Sequence, residues 1–236
     1  MIKLINNELN KVKKSKLLFS QFVLVISLII MKNVSDKNII DLSFNLIPFV
    51  GIIICLLFGG IISSEIENGN FRYYLTKPYR RWKIYLSKML CILIYLIITF
   101  LVIIISTLII VNKFDYNYII KFFKYSIPIV FMSSLIMYIS TKFKSQSFCV
   151  GLSIFILSFS LIFAQILFGI KINIIEYTFL PYLDFSIFND KLVINNMNSE
   201  LGIHLSLYRG IIIDIIYFVL FFILGLYKFN KKDIKN

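Results

Sequence analysis

The sequence has a single histidine (His204), a single alanine (Ala164) and three cysteines among its 236 residues. One histidine excludes HExxH and every other multi-histidine metal site. The cysteines, Cys55, Cys91 and Cys149, lie inside apolar runs with no CxxC pair. That placement argues against a disulfide framework or a thiolate cage and leaves them as small membrane-embedded residues. The shortage of alanine beside abundant Ile, Leu, Phe, Asn, Lys and Tyr marks an AT-rich coding bias, so the 17% aromatic content is no sign of an aromatic site. No phosphate loop of the form GxxxxGK[ST] is present, and Gly151-Leu152-Ser153 lacks the closing glycine of a serine elbow. No close acidic pair lies within an apolar run. The expectation is a chain with no catalytic residue and no metal ligand, with His204 at an interface.

What the sequence does have is apolar length. It is 59% hydrophobic and 16% charged, with a mean hydropathy of +0.86, too apolar for a soluble domain to cover its core. A bilayer needs about 20 apolar residues per helix, and runs such as 89–111, 148–170 and 207–229 supply them. The expected fold is an all-α integral membrane protein forming one domain over 1–236. Its six spans are placed at about 17–31, 39–62, 86–111, 120–141, 147–170 and 207–229. The first is short and reads as a retained anchor, because no small-residue cleavage site follows it. The fourth is the weakest, interrupted by Lys121, Lys124 and Pro128, a proline tolerated in membrane helices when neighbours re-satisfy the backbone.

Charge tests this layout. The formal net charge is +13, which in a soluble protein would suggest nucleic acid. With the N-terminus placed in the cytoplasm, 17 of the 25 basic residues fall in inner segments, with only Glu8, Glu65, Glu67 and Asp233 as acids there. That is the positive-inside signature, with both termini cytoplasmic and no call for nucleic acid as partner. Residues 2–16 set Ile2, Ile5, Leu9 and Val12 at helical spacing between lysines, the pattern of an amphipathic interfacial helix. Segment 171–206, with Tyr177, Pro181, Tyr182 and Phe185, is too apolar for a free loop and fits a short re-entrant or interfacial hairpin on the outer face. Gly51, Cys55, Gly59 and Ser63 give the second span a small-residue ridge for close helix approach. Asp214 and Gln165, polar groups inside spans, are candidates for a translocation path or for helix pairing, Asp214 with Arg209 among its options.

The most informative stretch is GGIISSEIENGNFRYYLTKPYRRWKIYLSK, residues 59–88. Arg80, Arg81, Trp82 and Lys83 are ordinary interface anchors, but they do not account for Glu65 and Glu67 so near the membrane. Nor do they account for the aromatic patch Phe71–Leu75 on the cytosolic side, which has the make-up of a protein-docking surface. This stretch resembles the inner loop of ABC-2 type permeases of ATP-binding cassette transporters. The matching positions are an acidic turn (Glu65, Glu67), a glycine (Gly69), a short coupling helix with a leucine (Leu75), then Pro78, Arg81 and Lys88. Glu8-Leu9-Asn10-Lys11 is similar to the family's lead-in helix, and Phe229-Asn230-Lys231-Lys232-Asp233-Ile234 to its tail.

The resemblance implies a cytoplasmic coupling helix over 66–77 that docks into a separate ATPase subunit. Glu65, Glu67, Gly69, Arg72, Tyr73, Tyr74, Leu75 and Pro78 would form the coupling site. It further implies a second permease copy or a sister chain as partner, ATP bound by the partner subunit rather than by this chain, and residence in the bacterial plasma membrane. Small permeases of this kind resemble the bacitracin- and lantibiotic-resistance group, so an exporter that clears an amphipathic compound or antimicrobial peptide is expected. A non-transporting immunity or scaffold protein is the alternative.

Overall fold

The computed structural model describes residues 2–12, 14–34, 39–69, 80–112, 116–170, 173–185, 188, 194–195, 198–199 and 204–231. Among these residues the structure is helical, with no strand. Six stretches are long and apolar enough to cross a membrane: 15–33, 39–67, 81–111, 116–142, 146–169 and 207–231. The first is helix α2 (Lys14–Val34), preceded by a separate helix α1 (Ile2–Lys11). The helix runs 21 residues and so extends past the expected 17–31 at both ends, with Lys14 and Lys16 in its first turn. Long lysine stems allow this by reaching to the interface from within a helix.

The second span is broken into three pieces: α3 (Ile39–Asn45), α4 (Ile47–Phe58) and α5 (Ser63–Glu67). Pro48 sits in the first turn of α4, where its missing N–H costs nothing. The second break, at Gly59–Ile62, frees amides that lipid would leave unpaired. The Ser140 hydroxyl accepts both of them, from Ile62 at 2.8 Å and Ser63 at 2.9 Å. The expected ridge is present in α4: a Cβ on Gly51 would lie 2.8 Å from Leu157 and 2.9 Å from Ile129, and one on Gly59 would lie 3.0 Å from the Val150 backbone. Small residues here let two other spans press against the second.

The third span is α6 (Arg81–Val111), the fourth α7 (Tyr116–Lys142), the fifth α8 (Gln146–Gly169) and the sixth α9 (Leu207–Lys231). The fourth, the least apolar, is continuous through Pro128 and lies at the centre. Of its best apolar window 61% is buried, against 17–22% for α2, α8 and α9. Its charges stay at the rim: Lys121 is exposed, and the Lys124 ammonium lies 5.6 Å from the Tyr208 ring. The aromatic excess packs this interior, with Phe131, Phe179, Tyr217 and Phe221 in mutual contact and Phe44 against Tyr118 and Tyr125.

The ends of the bundle differ. At one, the terminal face, α1 and the C-terminal end of α9 meet the beginning of α6, as Glu8–Lys88 and Arg81–Asn230 contacts show. At the other, two short 3₁₀ helices, Asn173–Tyr177 and Leu180–Tyr182, form the hairpin expected before the last span. Tyr182 and Phe185 fill the space beside Gly210, where a Cβ would stand 2.6 and 2.8 Å from their rings. Arg209 closes the hairpin by donating to Glu176 at 2.8 Å, and Glu176 also accepts the His204 backbone N–H at 3.0 Å.

Candidate functional site

Four charged side chains from three elements converge on the terminal face. Lys88, one turn and more into α6, is fully buried; its ammonium donates to Glu8 Oε2 at 2.8 Å and to Glu65 Oε1 at 2.6 Å. Lys11 bridges the same two carboxylates from the solvent side, 2.8 Å from Glu8 Oε1 and 2.6 Å from Glu65 Oε1. The cluster carries no net formal charge. Desolvating a lone lysine so deeply would cost several kcal/mol, and two carboxylates offset that cost only when the geometry is this close. Such a cluster fixes which helix faces meet more than it adds stability.

The cluster explains α1. Its expected apolar stripe is only partly covered (Ile5, Leu9 and Val12 are half-buried), whereas Leu4 and Glu8, one turn apart, are its most buried residues. The helix is thus anchored to the bundle through a charge, as well as through apolar burial. Burial alone would raise the Glu8 carboxyl, but the Lys88 charge and hydrogen bonds from Lys11 and Lys88 outweigh it and hold the group below its ordinary value. Burial likewise opposes the Lys11 ammonium, yet hydrogen bonds to Glu65 and Glu8 win and raise it.

Further ties surround the same place. Glu67, two residues beyond Glu65 and so on the other side of α5, accepts the Gln146 backbone N–H at 2.7 Å. A carboxylate at the first turn of α8 meets the positive end of that helix dipole. Gly60 packs against the Gln146 side chain so closely that a Cβ would collide with it. Gly69 then turns the chain out of α5 with φ +70°, a left-handed conformation that glycine adopts without strain. On the return, the Arg81 guanidinium donates to the Asn230 carbonyl at 2.8 Å, joining the start of α6 to the end of α9. Below it, the Tyr85 ring packs on Phe222 and Phe229, with its hydroxyl against Gly225. The described residues on either side of 70–79 are therefore bound to α1, α6, α7, α8 and α9.

Of the residues singled out in the sequence, Glu65, Glu67 and Gly69 stand at this junction. Arg72, Tyr73, Tyr74, Leu75 and Pro78, and with them the body of the expected coupling helix, lie outside the described residues. Asp214 is fully buried in α9, and neither carboxylate oxygen has a hydrogen-bond partner among the described residues. Arg209, one of the options the sequence left open for it, is instead paired with Glu176 at the hairpin. Gln165 is exposed on α8. Glu8, Lys11 and Lys88 carried only a motif resemblance in the sequence; a lysine inside an otherwise apolar run was the signal that it must have buried partners. Ser140 and Tyr85 gave no signal. Among the described residues no group of three His, Cys, Asp or Glu side chains gathers as a metal site.

A bundle of six apolar helices, charged at its rims and closed by a buried ion cluster at one end, defines a multi-pass helical membrane protein. The chain belongs to DUF2705, a family of proteins of unknown function, which it matches over residues 9–235. No curated protein matches the chain.

Proposed function

We propose that this protein is the permease subunit of an ATP-binding cassette exporter of the ABC-2 type, driven by an ATPase on a separate polypeptide. The observation that carries the reading is the wiring of segment 70–79. Its departure point, Glu65 and Glu67, is bonded to α1, α6 and α8, and its return point, Arg81, to α9. A push on the elbow is thereby delivered to several membrane helices at once, as a docking element for a mechanical partner requires. A helix break whose backbone rests on one serine hydroxyl gives α5 a place to pivot.

In this reading the terminal face is cytoplasmic, as the concentration of lysine and arginine in 1–16, 70–88, 142–144 and 228–236 supports. The membrane is the bacterial plasma membrane, and two copies, or one copy and a sister chain, sit above two ATPases that bind the ATP. Asp214 supplies a polar group within the membrane domain, and its cargo class, an amphipathic compound or antimicrobial peptide, follows from the resemblance.

The test replaces Tyr74 and Leu75 with aspartate, singly. Detergent-extracted variants that elute as the parent protein does but lose the ATPase and ATP-driven clearance are the expected outcome. If they keep both the ATPase and full turnover, the docking assignment is wrong. If the parent chain never recruits an ATPase and its protection persists after ATP depletion, a non-transporting immunity or scaffold role replaces this one.

A further inference from the structure

Near the terminal face, α2 and α4 leave a groove between them. Ser15, Lys16, Phe19, Ser20 and Val23 line it from α2, and Ile53, Leu56 and Leu57 from α4, around a volume of about 560 Å³. Both sets recur at three- and four-residue spacing, so each is one face of its helix. The two faces confront each other without closing, because α2 is attached elsewhere: Leu24 and Leu28 are buried, and the Ser20 hydroxyl lies 2.6 Å from that of Tyr95 on α6. Protein interiors leave few voids larger than a water molecule, and a groove of this size falls within the range of ligand sites, about 300–1,000 Å³.

The chemistry of the lining selects its occupant. The walls are aliphatic and aromatic, and their free polar groups gather at one end. The Ser20 hydroxyl is already donated to the Leu17 carbonyl or shared with Tyr95, which leaves Ser15 and Lys16. Lys16 is exposed and makes no ion pair among the described residues. The acids of the terminal-face cluster, Glu8 and Glu65, are committed to Lys11 and Lys88. Among the described residues no carboxylate lines the groove. The geometry points to an anionic phospholipid as the resident ligand, one acyl chain lying between α2 and α4 and its phosphate at Lys16. A lipid fits better than a second copy of the chain, because a protein helix has no anionic group to set against Lys16 unless it brings one to that end.

Brominated phospholipids test this, since bromine quenches tryptophan only at contact. The reporter is Phe19→Trp in a Trp82→Phe background, reconstituted in vesicles of equal phosphatidylglycerol and phosphatidylcholine with one or the other brominated. One lysine near the membrane surface corresponds to about a fivefold preference for anionic lipid, so phosphatidylglycerol should quench about fivefold more effectively. Adding Lys16→Glu, or the milder Lys16→Gln if the first does not fold, should equalise the two lipids. A reporter at Ile162→Trp, on the exposed face of α8, should show no preference. Equal quenching at Phe19, or a preference that survives both Lys16 variants, overturns the proposal. So does protection from both lipids together with disulfide cross-linking of Phe19→Cys between copies, which would make the groove a subunit contact.

Discussion

Replacing Lys88 with methionine keeps most of the side-chain volume and removes only the charge. In the folded protein this leaves the Glu8 and Glu65 carboxylates, whose side chains are 3% and 9% exposed, with Lys11 as their remaining cationic partner in the cluster. Removing one partner of a buried ion pair typically costs about 3–5 kcal/mol, because the other charge stays buried. Lys11→Met should cost far less, on the order of 1 kcal/mol or below, since that side chain is 43% exposed and water screens it. Adding Glu8→Gln to Lys88→Met removes the charge left over, so the pair should be coupled by about 1–3 kcal/mol. The assay is equilibrium unfolding in mixed micelles followed by helicity. A Lys88→Met protein within about 0.5 kcal/mol of the parent, a typical figure for an unimportant surface change, would refute the reasoning, as would strict additivity in the cycle. The pH dependence has two limbs. Glu8 titrates below its ordinary 4.5 in the fold, so its contribution is complete above that value and is lost as pH falls through the folded one. Lys11 titrates above its ordinary 10.5, so its contribution is complete below that value and is lost as pH rises through the folded one. The contributions of Glu8 and Lys11 should both be flat between the two, and the acid limb should shrink in Glu8→Gln.

Other outcomes follow from single contacts. Ser140→Ala strands the amides of Ile62 and Ser63, at about 1–3 kcal/mol for an unsatisfied buried group, and amide exchange at those two positions of the second span should accelerate while that of α7 is unchanged. Gly225→Ala drives a methyl group into the Tyr85 hydroxyl; a loss of about 1–3 kcal/mol is expected, largely restored by adding Tyr85→Phe. Asp214→Ala removes a buried carboxylate with no hydrogen-bond partner among the described residues, so thermal stability in detergent should hold or rise by about 1–3 kcal/mol. Transport lost in that stable variant would assign the residue to function, whereas a strongly destabilised variant would show that an unrecognised partner holds it.

Most of the architecture was legible because lipid imposes a plain rule: long apolar runs become helices. Five of the six spans begin or end close to where charge interrupts apolarity, and the hairpin before the last span was visible in its aromatic and proline content. The first helix runs longer than its apolar core because flanking lysines such as Lys16 and Lys32 belong to it. Pro128, Lys121 and Lys124 made α7 look marginal when it is in fact central, since hydropathy measures preference for lipid and α7 touches mainly protein. The stretch 59–88 stands out in the sequence for Glu65 and Glu67, yet the partners that position them lie 23 to 79 residues away. No local pattern records such a distance. Arg209 was an option for Asp214, but a single arginine has two possible carboxylates here, and only the folded hairpin decides for Glu176.

The central position of α7 also bears on how the protein is made. Its best window has a mean hydropathy of 1.5, the lowest of the six, against 3.1 for α6, and it holds a proline with lysines ahead of it. Its most extensive neighbour is α9, which follows it in the chain. During biogenesis α7 must therefore wait beside the insertion machinery, or lean on α4 and α6, until α9 arrives to shield it. A ribosome stalled before residue 207 would hold a half-clothed helix, which makes synthesis of α9 the step that completes the cover of α7.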